Sequence, residues 1–251
     1  MIDATRDALA TARSLGATTA SLRAITLRGG YEIGRTLETE RIASGWRRVG
    51  WKLGFTNQAQ WAALGLDQPF WAPVYAETLA SDRLETSGLV QPRIEPEIVL
   101  GIERDVPAGS RFEEVAASIQ WAAAGLEVVH CHFESWDMSP AEAVADAGLH
   151  AALAIGPRKQ ISPAEAIALS ACGAVLLRDG EGVAKGNGSD VLGGPLEALG
   201  WLVRGLPDGL RAGEIVTTGT LTTALPIKRG QRWTHRSSGP VALETVELTF
   251  T

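Results

Sequence analysis

The sequence predicts an α+β protein, with a small N-terminal helical region over residues 1–78 and a β-rich portion over residues 79–251. Up to about residue 65, apolar residues recur at mixed spacings of three and four among charges, as in helices with one buried face. From about residue 79, short apolar runs alternate with turns, as in strands. Helices first and strands afterwards fit an α+β chain better than alternating βαβ units.

The elements follow in order. "ATRDALATARSL" and "GGYEIGRTLETERIASGW" read as helices, and "NQAQWAALGL" as a short third one. The stretch from Pro69 to Pro73 reads as a connector. Strand candidates are "IVLGI" from 98, "GLEVVHCHF" from 125, "AALAIG" from 151, "EIVTTGTLT" from 214 and "VELTF" from 246. Within "GAVLLRDGEGVAKG", Asp179-Gly180 marks a hairpin turn. "FEEVAASIQWAAAG" and "PLEALGWLVRGL" read as helical interludes, and there is no internal repeat.

Composition narrows the function classes. With 251 residues, 45 % hydrophobic and 21 % charged, the chain is an ordinary globular sequence with enough length for a large core. Its 23 Lys and Arg against 29 Asp and Glu give a net charge of −6, which argues against general affinity for nucleic acid or an anionic membrane. No apolar run approaches the roughly 20 residues of a membrane span. "MIDATRDALATARSLGA" lacks the basic start and apolar stretch of a signal peptide. Cys131 and Cys172 make no disulfide framework and suit a reducing compartment. A soluble cytoplasmic protein is expected.

Chemistry is suggested by "PRIEPEIVLGI". Glu95 and Glu97 stand two apart in an apolar run, so on a strand they share a face. Two buried like charges need a counter-charge, and paired carboxylates suit Mg²⁺ or Mn²⁺ over a soft metal. Glu127, inside "GLEVVHCHF", needs a partner for the same reason. Taken alone, Glu95 and Glu97 also read as exposed acids on an edge strand marked by Pro96.

The ordered segments "GWKLGFTNQAQWAALGLDQPFW", "PRIEPEIVLGI", "GLEVVHCHFESWD", "AVADAG", "GNGSDVLGGPLEALGWLVRGL" and "RAGEIVTTGTLTTALPIKRGQRW" resemble the fumarylacetoacetate hydrolase superfamily. The resemblance is to its 2-keto-4-pentenoate hydratase and 4-oxalocrotonate decarboxylase branch. It implies a β-rich roll of mixed sheets, assembly as a homo-oligomer, and a divalent metal, Mg²⁺ or Mn²⁺, on Glu95, Glu97 and Glu127. Lys52 matches the family's active-site lysine, and Thr218 and Gly219 match its substrate-contacting "TG".

Departures from the family pattern mark further residues. Phe70 stands where the hydratases carry an Asp, and Trp71 beside it is expected to line the pocket. The family's "ADNAS" reads Ala145-Asp146-Ala147-Gly148-Leu149, which keeps the acid Asp146 but places Leu149 where a Ser would be. His132 replaces an arginine, as a proton carrier or a partner for Asp146. His130, Cys131 and His132 are expected to serve packing or support rather than a second metal, His150 to lie near the altered motif, and His235 at the surface.

The resemblance implies a metal-dependent lyase acting on a small 2-oxo or 2-hydroxy-dienoic acid, such as 2-hydroxypenta-2,4-dienoate or 4-oxalocrotonate. A 2-oxo acid can chelate one metal through its carboxylate and adjacent oxygen, and the metal stabilises the enolate. Phe70 and Leu149 weaken the case for water addition and suit decarboxylation better. An acylpyruvate-type C–C hydrolase and a non-catalytic supporting subunit stay as alternatives.

Overall fold

The computed structural model of the chain describes residues 2–21 and 25–251. Helices α1 (Ile2–Leu15) and α2 (Leu27–Ala43) open it, as the spacing of their apolar residues predicts. Thr26 caps α2, its hydroxyl accepting the Gly29 N–H at 3.1 Å, which satisfies a donor that a first helical turn leaves over. Then come β1 (Arg48–Gly54), the short helix α3 (Trp61–Leu64), β2 (Phe70–Tyr75), β3 (Leu79–Ala80) and β4 (Arg83–Leu84). The middle of the chain holds β5 (Arg93–Ile102), α4 (Phe112–Ala116), β6 (Ile119–Val129), α5 (Pro140–Ala145), β7 (His150–Ile155), β8 (Lys159–Gln160) and α6 (Pro163–Ala168). It closes with β9 (Gly173–Arg178), β10 (Glu181–Asn187), α7 (Pro195–Gly205), β11 (Ile215–Thr217), β12 (Leu225–Pro226), β13 (Arg232–Ser238) and β14 (Val246–Phe250).

Among the described residues the strands form two sheets. The larger has nine strands in the order β2-β1-β11-β5-β6-β7-β3, with β12 also on β5 and β8 also on β6. The smaller runs β10-β9-β13-β14-β4. The β9–β10 hairpin turns at Asp179 and Gly180, with φ of 53° and 91°, the positive values that a tight two-residue hairpin demands. Leu199 and Leu202 of α7 share one core with Ile98 and Leu126 of the large sheet and Trp233 and Phe250 of the small one. A second core joins Leu9 and Ile33 of the N-terminal helices to Val144 and Phe133. No described helix is long and apolar enough to cross a membrane.

Two expectations change. The helical reading of "FEEVAASIQWAAAG" holds only to Ala116, and from Ile119 the chain is a long central strand. Ala122, Ala123 and Ala124 are all fully buried there. A strand covered on both faces takes small side chains, and its pairing outweighs the helix propensity of alanine. The helical reading to residue 65 likewise ends at Ala43, because β1 pairs in parallel with β11 and antiparallel with β2. The larger sheet therefore draws strands from both sides of residue 78.

His235 is not at the surface. It is 1 % exposed on β13, and its Nδ1–H donates to the Gly125 carbonyl at 3.0 Å. Burial pushes its pKa from 6.5 down to about 4, with that hydrogen bond acting in the opposite direction. The unfolded chain thus binds the extra proton first, so this contribution to stability is complete above pH 6.5 and is lost as pH falls toward 4. At its largest it is about 3 kcal/mol. Urea midpoints should drop between pH 7 and pH 5, and His235→Gln should flatten that drop. An unchanged slope in the variant would show that His235 is not held neutral.

Candidate metal centre and active site

The register of β5 against β6 places the three acids. Glu95 stands directly across from Glu127, and Glu97 across from Gly125, so strand alternation sends all three carboxylates to one face. One oxygen from each lies within 4.8 Å of the others. Glu97 and Glu127 are fully buried, and Glu95 is half-buried where a cleft opens. Strand β5 is flanked by β11 and β6, which rules out an exposed edge for this pair.

Each acid is held in place. Glu97 Oε2 accepts the Gly219 N–H at 2.9 Å and the Thr217 hydroxyl, while its Oε1 is buried without a hydrogen bond. Gly219 has φ of 112°, and a side chain there would run into the Thr56 side chain, so the turn that delivers this N–H needs glycine. Glu127 Oε1 lies 2.7 Å from His150 Nδ1, and His150 Nε2 lies 2.8 Å from Thr78 Oγ1. Burial lowers His150 to about 3, and Lys52 and Arg41 act in the same direction. The ring thus bridges Glu127 and Thr78, whose hydroxyl donates to the Tyr75 carbonyl at 2.9 Å. Glu127 Oε2 sits 3.3 Å from Lys52 Nζ, an ion-pair distance without hydrogen-bond alignment.

Lys52 enters from β1, where the register sets it beside Thr217 of β11 and Ala72 of β2. It is 3 % exposed, donates to the Gly148 carbonyl at 3.2 Å, and lies 5.4 Å from the centre of the Phe70 ring. Burial acts to lower its pKa, but Glu127, Glu95 and Glu97 together outweigh burial and hold it raised. The acids move the other way. Burial pushes Glu95 up to about 8 and Glu97 well above the carboxylate range, and it raises Glu127 as well, in each case against the pull of Lys52.

One ammonium does not balance three buried carboxylates. Two buried oxygens without a hydrogen bond, converging with a third carboxylate, form an all-oxygen donor set for a hard divalent cation. The residues present fit Mg²⁺ or Mn²⁺. A cleft of about 490 Å³ reaches Lys52 and Glu95, and Phe55, Phe70, Val129 and Met138 give it apolar walls.

Residues 51–245 match the fumarylacetoacetate (FAA) hydrolase C-terminal family. The chain belongs to the fumarylacetoacetate hydrolase family. It is 35 % identical to a 2-keto-4-pentenoate hydratase of Burkholderia vietnamiensis, over 96 % of this chain and 94 % of that protein. It is 30 % identical to a 2-hydroxyhexa-2,4-dienoate hydratase of Comamonas testosteroni, over 98 % of this chain and 94 % of that one. Among solved structures, 4-oxalocrotonate decarboxylase from Pseudomonas putida G7, complexed with magnesium and adipate, superposes with a TM-score of 0.91 at 25 % identity, covering 100 % of this chain and 97 % of that one.

Within this family fold, Lys52 and the three glutamates are gathered at one point, and Phe70 lines the cleft beside them. Trp71 does not. As the next residue on β2 it faces the opposite side, 5.3 Å from the Tyr31 ring, and lines a separate cleft of about 600 Å³. The two-residue period of a strand sends neighbours to opposite faces. Gly219 reaches Glu97 through its N–H, whereas the Thr218 hydroxyl donates to the Ile98 carbonyl at 2.9 Å. Thr217, one residue earlier, is the threonine that touches a metal-ligand candidate.

Asp146 and His132 form a buried pair of their own, with His132 Nδ1 2.9 Å from Asp146 Oδ1 and the His132 N–H donating to Oδ2 at 2.9 Å. Arg13 of α1 adds an ion pair at 3.0 Å. Burial alone would raise Asp146, but His132 and Arg13 hold it below its ordinary value. Neither Asp146 nor His132 lines the cleft. Asp146 instead ends α5 and opens the turn in which Ala147, Gly148 and Leu149 have φ of 56°, 65° and 64°. That turn brings the Gly148 carbonyl to Lys52, so Asp146 is linked to Lys52 through the backbone of the turn. Leu149 packs in the apolar cluster with Phe70 and Val144.

Among the described residues the three glutamates are the one acid, His or Cys group with metal-binding spacing. The rings of His130 and His132 meet edge to face at 4.4 Å, a packing contact. Arg13, Thr217 and the contact of His150 with Glu127 were not foreseen from sequence. Thr217 alone carried a signal, since strand alternation in "EIVTTG" allows only one of its two threonines to face the site.

Proposed function

We propose that the protein is a metal-dependent lyase of hydratase or decarboxylase type, acting on a small 2-oxo or 2-hydroxy-dienoic acid, with Mg²⁺ or Mn²⁺ as cofactor. The observation that carries this is the convergence of buried Glu97 and Glu127 oxygens with Glu95 beside the buried ammonium of Lys52. The hydratases and the decarboxylase to which the chain is similar support the substrate class. Homo-oligomeric assembly belongs to the same proposal and is read by sedimentation.

Glu95, Glu97 and Glu127 would hold the cation. When bound, it supplies Lewis acidity to the carboxylate and 2-oxo oxygen of the substrate. Lys52, kept protonated by the acids around it, offers a positive Nζ for the substrate carboxylate and a proton for the reacting chain. Its hydrogen bond to Gly148 and its contact with the Phe70 ring fix where that proton sits. Phe70, 3 % exposed, keeps water from the side of the cleft where a carboxylate would place it. The apolar walls shelter the conjugated carbons, which favours loss of CO₂ over addition of water.

Purified protein with Mg²⁺ should convert 2-hydroxypenta-2,4-dienoate or 4-oxalocrotonate, followed by ultraviolet absorbance and product identification. Absence of turnover on both, together with no Mg²⁺ or Mn²⁺ uptake by titration, would sink the proposal.

A further inference from the structure

Plain strand alternation would send His150 to the face opposite the glutamates. Glu127 of β6 stands across from Leu153 of β7, and Val128 across from Ala152. Two residues before Ala152, His150 would leave with Ala152 and Ala154, toward the core that the sheets share with α7. A bulge intervenes. The register shifts between Val128 and Val129, Ala151 is skipped, and His150 comes to stand across from Val129. One extra residue in a strand turns the side chain beyond it to the other face. His150 thereby joins the face of Glu127, with its ring fully buried.

There the ring occupies one carboxylate oxygen. His150 Nδ1 lies 2.7 Å from Glu127 Oε1, a separation at which one proton lies between the two atoms. The far side of the ring is held as well, with Nε2 2.8 Å from Thr78 Oγ1. Thr78 is tied in turn to Tyr75, whose carbonyl it reaches at 2.9 Å and whose N–H reaches it at 3.4 Å. The imidazole is pinned at both nitrogens, and it pins the carboxylate. Glu127 Oε2 is left without a hydrogen bond, 3.3 Å from Lys52 Nζ. Glu97 is divided the same way, with Oε2 taken by Thr217 and Gly219 and Oε1 left over. Each of these two buried acids therefore presents a single oxygen.

We propose that His150 is a positioning residue that makes Glu127 a one-oxygen ligand, and so sets the metal centre for Mg²⁺ or Mn²⁺ against Ca²⁺. This rests on the metal-lyase reading above. A small cation that demands near-octahedral geometry at about 2.1 Å is served by one oxygen per carboxylate. Ca²⁺, at about 2.4 Å with roughly six to eight ligands, gains from carboxylates that can turn both oxygens toward it. Glu127 cannot do so while Oε1 is held on the imidazole. The same hold fixes where Oε2 points before a cation arrives, which favours binding of the ion that fits.

The test is calorimetric titration of EDTA-stripped protein with Mg²⁺ and, separately, with Ca²⁺. His150→Asn carries an amide nitrogen at the reach of Nδ1 and keeps the hold on Glu127. His150→Gln carries it at the reach of Nε2 and keeps only the link to Thr78. His150→Gln should weaken Mg²⁺ binding about 10- to 100-fold and Ca²⁺ binding by less than about threefold. His150→Asn should stay within about threefold of the wild type for both ions. Thr78→Val, which leaves His150 and Glu127 in place, should lower the Mg²⁺-to-Ca²⁺ affinity ratio by about threefold. It decides the matter if thermal unfolding shows that His150→Gln does not fold, and an unchanged ratio there would overturn the assignment. Equal losses for both ions in His150→Gln, or equal Mg²⁺ losses in His150→Asn and His150→Gln, would mean that the ring merely packs and would overturn it too. Absence of Mg²⁺ uptake by the wild type would overturn the lyase reading together with it.

Discussion

Glu97→Gln should lower Mg²⁺ affinity by two orders of magnitude or more and abolish measurable turnover, while the protein stays folded. The reason lies in how the two oxygens of Glu97 are used. Oε2 receives two donors, the Thr217 hydroxyl and the Gly219 N–H, and Oε1 is buried without a hydrogen bond beside the other carboxylates. A glutamine at this position keeps its one oxygen on the two donors, because turning its amide there would set N–H against N–H. Its NH₂ then points into the metal position, where it cannot serve as a ligand. The same change removes a buried charge that burial and Glu127 both disfavour. Stability in EDTA should therefore be unchanged or higher by about 1–2 kcal/mol. Calorimetric Mg²⁺ titration and thermal unfolding in EDTA read the two halves separately. Near-wild-type turnover at limiting Mg²⁺ would remove Glu97 from the ligand set.

Much of the site was legible in the sequence, because its signals are local. Glu95 and Glu97 show their shared face through spacing alone, and Glu127 betrays itself as an acid inside an apolar run. Asp179-Gly180 announces its hairpin through residues that tolerate positive φ. The parts that were not legible depend on register between distant segments. Nothing in "GWKLGF" says that Lys52 lies beside Thr217, which is set by the parallel pairing of β1 with β11 across 165 residues of chain. Trp71 was misplaced because the stretch from Pro69 to Pro73 read as a connector, and only as strand β2 does it alternate away from Phe70. The alanines of β6 misled for a related reason: local propensity favours a helix, and burial on both faces decides for a strand. His235 read as surface because neutral burial of an imidazole leaves no mark in composition.

The pairing of Asp146 with His132 shows the same division. The sequence offered His132 as a possible partner for Asp146, and the two are indeed hydrogen-bonded at 2.9 Å. Their distance from the cleft depends on the turn at 147–149, whose left-handed residues cannot be read from an Ala and a Leu that rarely adopt that conformation. Holding those residues there costs on the order of 1 kcal/mol each. The Asp146, His132 and Arg13 cluster is what secures the start of that turn, and through the Gly148 carbonyl it reaches Lys52.

Lys52→Met should therefore be the second severe variant, and its effect should depend on both pH and metal. The side chain fills similar volume but removes the ammonium that lowers the pKa of Glu95, Glu97 and Glu127. In EDTA the three acids then take up protons more readily, and keeping them ionised inside the fold becomes costlier. A carboxyl group with a raised folded pKa costs stability as pH climbs from its unfolded value near 4.5 toward its folded value. Without Lys52 that window extends to higher pH, so the loss should be small near pH 5 and reach about 3–5 kcal/mol by pH 8, the usual penalty for breaking a buried ion pair. Saturating Mg²⁺ should recover much of this, because the cation replaces the missing charge. Turnover should still fall by 10²-fold or more, since a metal cannot stand in for a proton held at Nζ. Urea unfolding at pH 5 and pH 8, each with EDTA or Mg²⁺, separates these effects. A loss that is the same in all four conditions would mean that Lys52 serves packing, leaving its charge without the role assigned to it beside Glu127.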